Sequence, residues 1–286
     1  MNLCTPTRDT AGRWVHTGLL LAGWLLASSC HRPHLPDDQP RIATTTTYLE
    51  AVARDLLGAG IHVLRLSEPG ACPGHFDIRP SQVTELRRCR VLLRFDFQKS
   101  LDARLTGSHG EGPRVAEIAL GGGMNLPASY LAACRQAAEH FVELGLLSPA
   151  DADQRIKAVT ARVQALARAA SNRIAEAGIA GQPVLASGHQ RDFVEWLGLD
   201  VVAVFRAADT ASVRQIEEAL AAGSFAQARL VIANRPEGRR TADALAERLQ
   251  ARVVVFENFP DLQNGRASFD AMLTGNVDTL LRAVEP

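Results

Sequence analysis

The sequence has no excess of charge of either sign and no hydrophobic run long enough to cross a membrane. It contains 31 lysine and arginine residues against 31 aspartate and glutamate residues, with no dense basic segment. Proteins that bind nucleic acid usually carry a basic patch, so this balance argues against a nucleic-acid partner. The N-terminal apolar stretch spans about ten residues, whereas a membrane-spanning helix needs about 20.

The sequence also lacks the motifs of the common enzyme classes. It has no phosphate-binding Walker motif, and Gly121-Gly-Gly123 stands alone without the rest of a dinucleotide fingerprint. The stretch Gly188-His-Gln190 is not a nucleophile elbow, because no serine follows its glycine. No acid/base pair and no nucleophile with its base is recognisable. We therefore predict that the protein is not an enzyme.

The N-terminal segment has the features of an export signal. Arg8 and Arg13 precede an apolar stretch over 18–27, and a positive flank followed by such a stretch is typical of a secretory signal peptide. The sequence Leu26-Ala-Ser-Ser-Cys30 resembles a bacterial lipobox, with its leucine one place further from the cysteine than is usual. We predict an exported protein, periplasmic or at the cell surface, with a lipid on Cys30. Ordinary cleavage near Ser29 is the alternative.

Cysteine is scarce. Of the five cysteines, Cys4 leaves with the signal peptide and Cys30 carries the predicted lipid. Cys72, Cys89 and Cys134 remain, and an odd number in an oxidising compartment predicts one disulfide at most, with at least one free thiol. The sequence leaves open whether Cys72 is the free one.

Strand-like and helix-like segments alternate along the chain, which is the pattern of a parallel α/β sheet. In the first half, strands are predicted at 41–48, 61–66 and 91–95, and helices at 49–58, 80–88 and 135–144. In the second half, strands are predicted at 184–186, 201–205, 230–233 and 252–256, and helices at 191–197, 212–222, 240–250 and 268–284. The two halves therefore predict two α/β lobes.

One long helix is predicted between the halves, over 149–176. Apolar residues recur there at spacings of three and four, and no glycine or proline follows Pro149: Ile156, Val159, Val163, Leu166, Ala170 and Ile174. The predicted organisation is a signal peptide over 1–29, a lipidated tether over 30–40, a first lobe over 41–147, a linking helix over 148–178 and a second lobe over 179–286. A rigid helix between two lobes leaves a cleft, where ligand sites are common.

Candidate binding residues lie where the predicted strands end. His189 follows the strand at 184–186, and Cys72 and His75 follow the strand at 61–66. Imidazole and thiolate are good ligands for Zn²⁺. A lone histidine, however, more often caps a helix or bonds a loop, so this pattern alone is weak.

Oxygen-bearing side chains follow two further strands. Asn234 follows the strand at 230–233, and Glu257 and Asn258 follow the strand at 252–256. They are candidates for metal ligands or for a polar cleft lining, with helix capping and turn formation as the alternative.

Several segments resemble the substrate-binding lipoproteins of the metal-ion ABC importers, which carry zinc or manganese. The loop 68–81 resembles the family's proline-glycine loop with its metal-binding histidine, here His75. The segment 184–189 resembles the strand and metal-binding histidine of the second lobe, here His189. The long helix after Pro149 and the closing segment 276–281 fit the same pattern. The resemblance implies two α/β lobes bridged by a rigid helix, with metal bound in the cleft.

The chain departs from that family at two ligands. No histidine stands near Gly121-Gly-Gly123, where the family has one, and Asn234 or the Glu257-Asn258 pair replaces the acidic ligand of the second lobe. Cys72 is able to fill one vacant position. The resulting set would suit Zn²⁺ better than Mn²⁺ because thiolate is soft: Cys72, His75, His189 and Glu257, with Asn234 and Asn258 lining the cleft.

The sequence thus predicts a solute-binding protein that delivers a divalent metal to a membrane permease, with zinc as the leading candidate. Manganese, another divalent metal or no metal remain open as cargo. The alternative is a surface-anchored module of the same fold that binds a small organic ligand or a metal chelate. A metal-dependent hydrolase ranks lower, since Glu257 is its only nameable general base.

Overall fold

Two four-stranded sheets organise the molecule. The structure is a computed structural model that describes residues 41–70, 78–102 and 112–285. The first sheet contains β1 (Arg41–Thr44), β2 (His62–Arg65), β3 (Val91–Phe95) and β4 (Arg114–Ile118). The second contains β5 (Pro183–Ser187), β6 (Asp200–Phe205), β7 (Leu230–Asn234) and β8 (Arg252–Phe256).

Both sheets have the same topology. The strand orders are β2-β1-β3-β4 and β6-β5-β7-β8, and every neighbouring pair in them is parallel. The direction of winding therefore reverses between β1 and β3, and again between β5 and β7. Loops diverge at such a switch point and leave a crevice outside the carboxyl ends of the strands.

Helices flank the two sheets, which confirms the predicted α/β fold of two lobes. They are α1 (Thr47–Leu57), α2 (Pro80–Leu86), α3 (Pro127–Glu143), α4 (Pro149–Glu176), α5 (Arg191–Trp196), α6 (Val213–Phe225), α7 (Arg240–Leu249) and α8 (Phe269–Val284). Short 3-10 turns follow β3 (Asp96–Leu101) and β7 (Arg235–Glu237), and a small antiparallel hairpin pairs β9 (Leu262–Gln263) with β10 (Arg266–Ala267).

Helix α4 is the predicted linking helix. Its 28 residues correspond to about 42 Å at a rise of 1.5 Å per residue. The Ser148 hydroxyl accepts a hydrogen bond from the Asp151 amide at 3.1 Å, and Pro149 occupies the first helical position. The apolar stripe of the sequence faces inward, where Val159, Val163, Ala170 and Ile174 are buried.

Two predicted element limits were wrong in the first lobe. The strand predicted over 41–48 ends at Thr44, because Thr46 caps a helix instead: its hydroxyl accepts a hydrogen bond from the Leu49 amide at 3.3 Å. Tyr48 therefore lies in α1. Strand β4 was missed, and α3 begins eight residues before the predicted start (135 − 127 = 8).

Residues of both lobes share one apolar core. Tyr130 of α3 stacks on Phe269 of α8 with ring centroids 4.0 Å apart, and Tyr48 meets Tyr130 edge to face at 5.4 Å. Since α1 and α3 belong to the first lobe and α8 ends the second, this aromatic group packs the two lobes together.

An ionic network joins the same helices at the edge of that core. Arg162 of α4 pairs with Asp55 of α1 and with Asp270 of α8, and the Tyr130 hydroxyl donates to Asp55 Oδ2 at 2.6 Å. Burial raises the pKa of Asp55, and the bonds from Tyr130 and Arg162 oppose that rise. Arg162 thus ties the first lobe, the linking helix and the last helix together.

Two further sequence predictions concern membranes and cysteines. Within the described ranges, no helix combines the length and the apolar character that a membrane span requires. Cys89 and Cys134 are both buried free thiols, so neither forms a disulfide. Burial raises the pKa of the Cys89 thiol to about 11, which keeps it protonated and unreactive at neutral pH. Cys30 and Cys72 lie outside the described residues.

Candidate ligand-binding cleft

A cavity of about 540 Å³ lies at the carboxyl ends of the strands. This volume is within the range of about 300–1,000 Å³ that is typical of small-molecule sites. Both lobes contribute to its walls. The described residues that line it are Phe97, Leu120, Gly122, Gly123, Met124, Gly188, His189, Asp192, Asn234, Pro236, Glu237, Asn258 and Phe259.

His189 reaches the cavity from the switch point of the second sheet. Strand β5 ends at Ser187, and His189 lies in the turn before α5. Its side chain is 68 % exposed, and its Nε2 lies 3.6 Å from Glu237 Oε1. The Ser187 hydroxyl donates to the other carboxylate oxygen of Glu237. Glu237, which the sequence reasoning missed, is therefore the acidic partner of His189.

A buried amide cluster supports this wall. Gln190 is fully buried, and its Nε2 donates to Asn234 Oδ1 at 3.1 Å and to Asn258 Oδ1 at 2.8 Å. The Asn125 Nδ2 of the first lobe donates to Gln190 Oε1 at 2.8 Å. Both predicted asparagines thus line the cavity, and their carbonyl oxygens are held by Gln190. The sequence reasoning missed Gln190, although it directly follows His189.

The first lobe presents an apolar wall to the same cavity. Phe97, Leu120 and Met124 line it, and Phe97 is 52 % exposed at its edge. Phe97 stacks on Phe95 with ring centroids 5.2 Å apart. This wall includes no ionisable side chain among the described residues that line the cavity.

The segment 121–123, which consists of three glycines, contacts the second lobe. The Gly123 amide donates to Asp192 Oδ2 at 3.0 Å. A Cβ atom at position 123 would lie 3.2 Å from Asp192 Cβ, a contact tight enough to force one of the two segments to shift. The place where the resemblance expected a histidine is therefore a backbone contact between the lobes.

Glu257 does not line the cavity that contains His189. It lies beside a second cavity of about 310 Å³, and its carboxylate pairs with Arg235. Burial raises the pKa of Glu257, an effect that Arg235 partly offsets, and Oε2 has no hydrogen-bond partner. Its backbone is held by Asn276 of α8 through bonds of 2.9 and 3.0 Å.

The remaining predicted ligands lie elsewhere in the chain. Cys72 and His75 fall outside the described residues. Within the described ranges, no group of three or more histidine, cysteine, aspartate or glutamate side chains is placed to hold a metal ion. His189 and Glu237 form a pair there, which on its own supplies at most two of the four ligands of a structural zinc site.

Comparisons with known proteins identify the fold. No protein-family model matches the chain, and no curated protein matches its sequence. Solved structures do match: a Mn-bound periplasmic metal-binding protein from Candidatus Liberibacter asiaticus has a TM-score of 0.71 at 9% identity, over 85% of this chain and 99% of the other. ZnuA gives 0.71 at 12% identity over 86% and 99%.

A third structure, the solute-binding protein FpvC from Pseudomonas aeruginosa in complex with Mn²⁺, has a TM-score of 0.69 at 15% identity, over 86% of this chain and 98% of the other. These identities are low, whereas the matches cover at least 85% of this chain and at least 98% of the others. The chain therefore has the fold of periplasmic metal-binding proteins, with two parallel-sheet lobes flanked by helices.

Proposed function

We propose that the protein is an extracytoplasmic solute-binding protein of an ABC importer. It captures a divalent metal, with zinc as the leading candidate, in the cleft between its lobes and transfers the metal to a membrane permease. It performs no covalent chemistry on its cargo. After export, a lipid on Cys30 anchors it to the membrane, with the segment 30–40 as its tether.

The observation that carries this proposal is the position of His189. It lies at the switch point of the second sheet, lines the cavity and has a carboxylate neighbour in Glu237. A carboxylate beside a ligating imidazole orients the ring and increases its basicity. The solved structures that share the fold are named as binding manganese, cadmium or zinc, which supports the same cargo class here.

The rest of the metal site would come from the loop after β2. In the sequence, Cys72 and His75 fall between β2 and α2, and the carboxyl end of β2 lies on the ligand edge of the first sheet. We propose His189, His75 and Cys72 as ligands. Glu237, rather than Glu257, is then the acidic residue of the site, because Glu257 is paired with Arg235 beside another cavity.

The test is metal content and zinc titration of the mature protein. We expect one tightly held zinc per chain. His189→Ala and His75→Ala should each lower the zinc affinity by more than the roughly 10–100-fold that loss of an outer-shell partner causes. His189 is exposed, so its replacement should leave the melting temperature of the metal-free protein unchanged.

His140→Ala is the matched control, since His140 lies on α3 and bonds the Glu117 carbonyl at 3.2 Å. Equal zinc affinity in the parent, the His189 variant and the control would reject the proposed site. The absence of stoichiometric metal would instead favour a binding module for an organic ligand. The glycines at 121–123 favour that second candidate, because they leave a family ligand position without a side chain.

A further inference from the structure

The cleft differs from a site for a bare ion in size and lining. Zinc ligands lie about 2.0–2.3 Å from the metal, so an ion alone occupies only a small part of 540 Å³. Among the described residues, the first-lobe wall offers the side chains of Phe97, Leu120 and Met124, none of which contributes a ligand for a hard or borderline cation. The second lobe adds Phe259 to this apolar surface. Such walls bury the body of an organic molecule.

The charged groups of the cleft favour a cation. Glu237 and Asp192 line it, and neither lysine nor arginine occurs among the described residues that do. The arginines next to them in sequence are engaged elsewhere. Arg191 bonds Glu195 at 2.8 Å, and Arg235 pairs with Glu257. The acidic side chains of the cleft therefore keep a net negative field.

The two sides of the cleft differ in charge. Among the described residues that line it, the imidazole and the carboxylates come from the second lobe alone, whereas the first-lobe side is apolar and Phe259 of the second lobe extends that apolar surface. A ligand that satisfies both sides has a metal or positive centre at one end and an aromatic or aliphatic body at the other. His189 is exposed enough to donate a nitrogen to an open coordination position of a metal.

We propose that the cargo enters this cleft as a divalent metal already held by an apolar organic chelator, in a cationic complex with an open coordination position. His189 takes the open position, Glu237 and Asp192 balance the charge, and Phe97 and Phe259 cover the chelator. This inference rests on the proposed function and specifies the chemical form of its cargo: donor atoms of the chelator take the coordination positions that His75 and Cys72 would hold around a bare ion.

The test compares three probes by calorimetry on the mature protein. The probes are zinc chloride, terpyridine alone and the 1:1 zinc–terpyridine complex, which is aromatic, cationic and coordinatively open. We expect the complex to bind about tenfold more tightly than free zinc, because Phe97 and Phe259 cover the chelator, and about tenfold more tightly than terpyridine alone, because His189 binds the metal. Zinc–EDTA, which is anionic and coordinatively closed, should not bind.

Two phenylalanine variants separate the roles of the walls. Phe97→Ala should weaken binding of the complex by about tenfold and should weaken binding of free zinc by less. Phe225→Ala is the matched control, because Phe225 is 91% exposed on α6 and lies outside the described lining of the cavity. It should bind all probes like the parent. His189→Ala should abolish the advantage of the complex over terpyridine alone.

The outcomes distinguish this inference from the proposed function. If free zinc binds as tightly as the complex and Phe97→Ala changes neither, the cargo is a bare ion, so the inference fails and the proposed function stands. If terpyridine alone binds as tightly as its zinc complex, the cleft takes an organic ligand and both fail. Both also fail if zinc binds in neither form.

Discussion

The two lobes have the same sheet topology but present different described side chains to the cavity. In the first lobe, β1 runs into buried threonines and β3 into the apolar Phe95 and Phe97. In the second lobe, β5 and β7 lead to His189 and Glu237, which face one another. Topology therefore places the cleft, because its described lining follows the carboxyl ends of strands in both sheets, whereas the loop residues decide what each wall binds.

The polar wall of the second lobe requires buried amide groups, and these need hydrogen-bond partners. A buried amide that loses its partners costs about 1–3 kcal/mol for each group left unsatisfied. The second lobe avoids this cost with Gln190, which bonds Asn234, Asn258 and Asn125 at once. The apolar wall needs no such support, since Phe97 rests on Phe95 by stacking.

Of the predicted variants, a substitution of Gln190 should have the largest effect on stability. Gln190→Leu keeps the approximate volume but leaves the Asn234 and Asn258 carbonyls and the Asn125 amide without partners. We expect a loss of about 3–6 kcal/mol in the free energy of unfolding, measured by denaturant titration. Gln154→Leu, at an exposed position of α4, is the control and should change it by less than about 0.5 kcal/mol.

If Gln190→Leu and Gln154→Leu had the same stability, the amide cluster would be dispensable. The polar wall would then need another support, and the contrast between the lobes would concern ligand binding alone.

Arg162→Met tests whether the two lobes depend on one another. It leaves Asp270 without its cation and Asp55 with only Tyr130. Loss of one partner from a fully buried pair costs about 3–5 kcal/mol. Arg162 is 37% exposed, so we expect a smaller loss of about 1–2 kcal/mol, with a single unfolding transition in calorimetry.

The loss of unfolding free energy in Arg162→Met should depend on pH. Without Arg162 the pKa of Asp55 rises further above its unfolded value, so stability falls as pH rises through that folded pKa. The penalty should therefore be larger at pH 7 than near pH 4. Arg168→Met, exposed on the same helix, should show no such dependence. Two separate transitions in the parent protein would show that the lobes unfold independently.

Glu237→Gln tests the contribution of the negative charge beside His189 to zinc affinity without removing a side chain. It keeps the bond to Ser187 but removes the charge beside His189. We expect zinc affinity, measured by calorimetry, to fall by about tenfold, the lower end of the effect of losing an outer-shell carboxylate. Glu247→Gln, at an exposed position of α7, is the control. An unchanged affinity would remove Glu237 from the site.

Much of the fold was predictable because hydrophobic periodicity is local. The limits of α4 were predicted as 149–176, since its apolar residues recur at spacings of three and four and no glycine or proline follows Pro149. Strand β4 reads Arg114-Val-Ala-Glu-Ile118 and carries two charges in five residues, so its pattern is weak. Tertiary pairing with β3 decides its conformation.

The candidate site was partly predictable for the same kind of reason. Residues directly after parallel strands share one edge, so His189, Asn234 and Asn258 were predicted and do line the cavity. Glu237 was missed because it lies three residues past β7, in a 3-10 turn. Glu257 follows the end of β8 and Asn258 lies in the bend after it, so the two neighbouring side chains enter different cavities. With Asn258 facing the cavity, Glu257 faces away.

Glu257→Gln is the smallest predicted effect and tests this placement. Burial raises the pKa of Glu257 above its unfolded value despite Arg235. A raised carboxyl pKa contributes stability that is present below the unfolded pKa and is lost as pH rises through the folded pKa. Replacing the carboxyl group removes this loss. The unfolding free energy of the variant should therefore increase relative to the parent between about pH 4 and pH 7.

Glu68→Gln is the matched control, because Glu68 also pairs with an arginine, Arg79, but both side chains are 69% exposed. Its difference from the parent should stay close to zero at both pH values. Zinc affinity provides the second measurement: Glu257→Gln should bind zinc like the parent, since its carboxylate faces the smaller cavity. A loss of affinity comparable to that of Glu237→Gln would place Glu257 in the metal site and refute the assignment of acidic residues proposed for the second lobe.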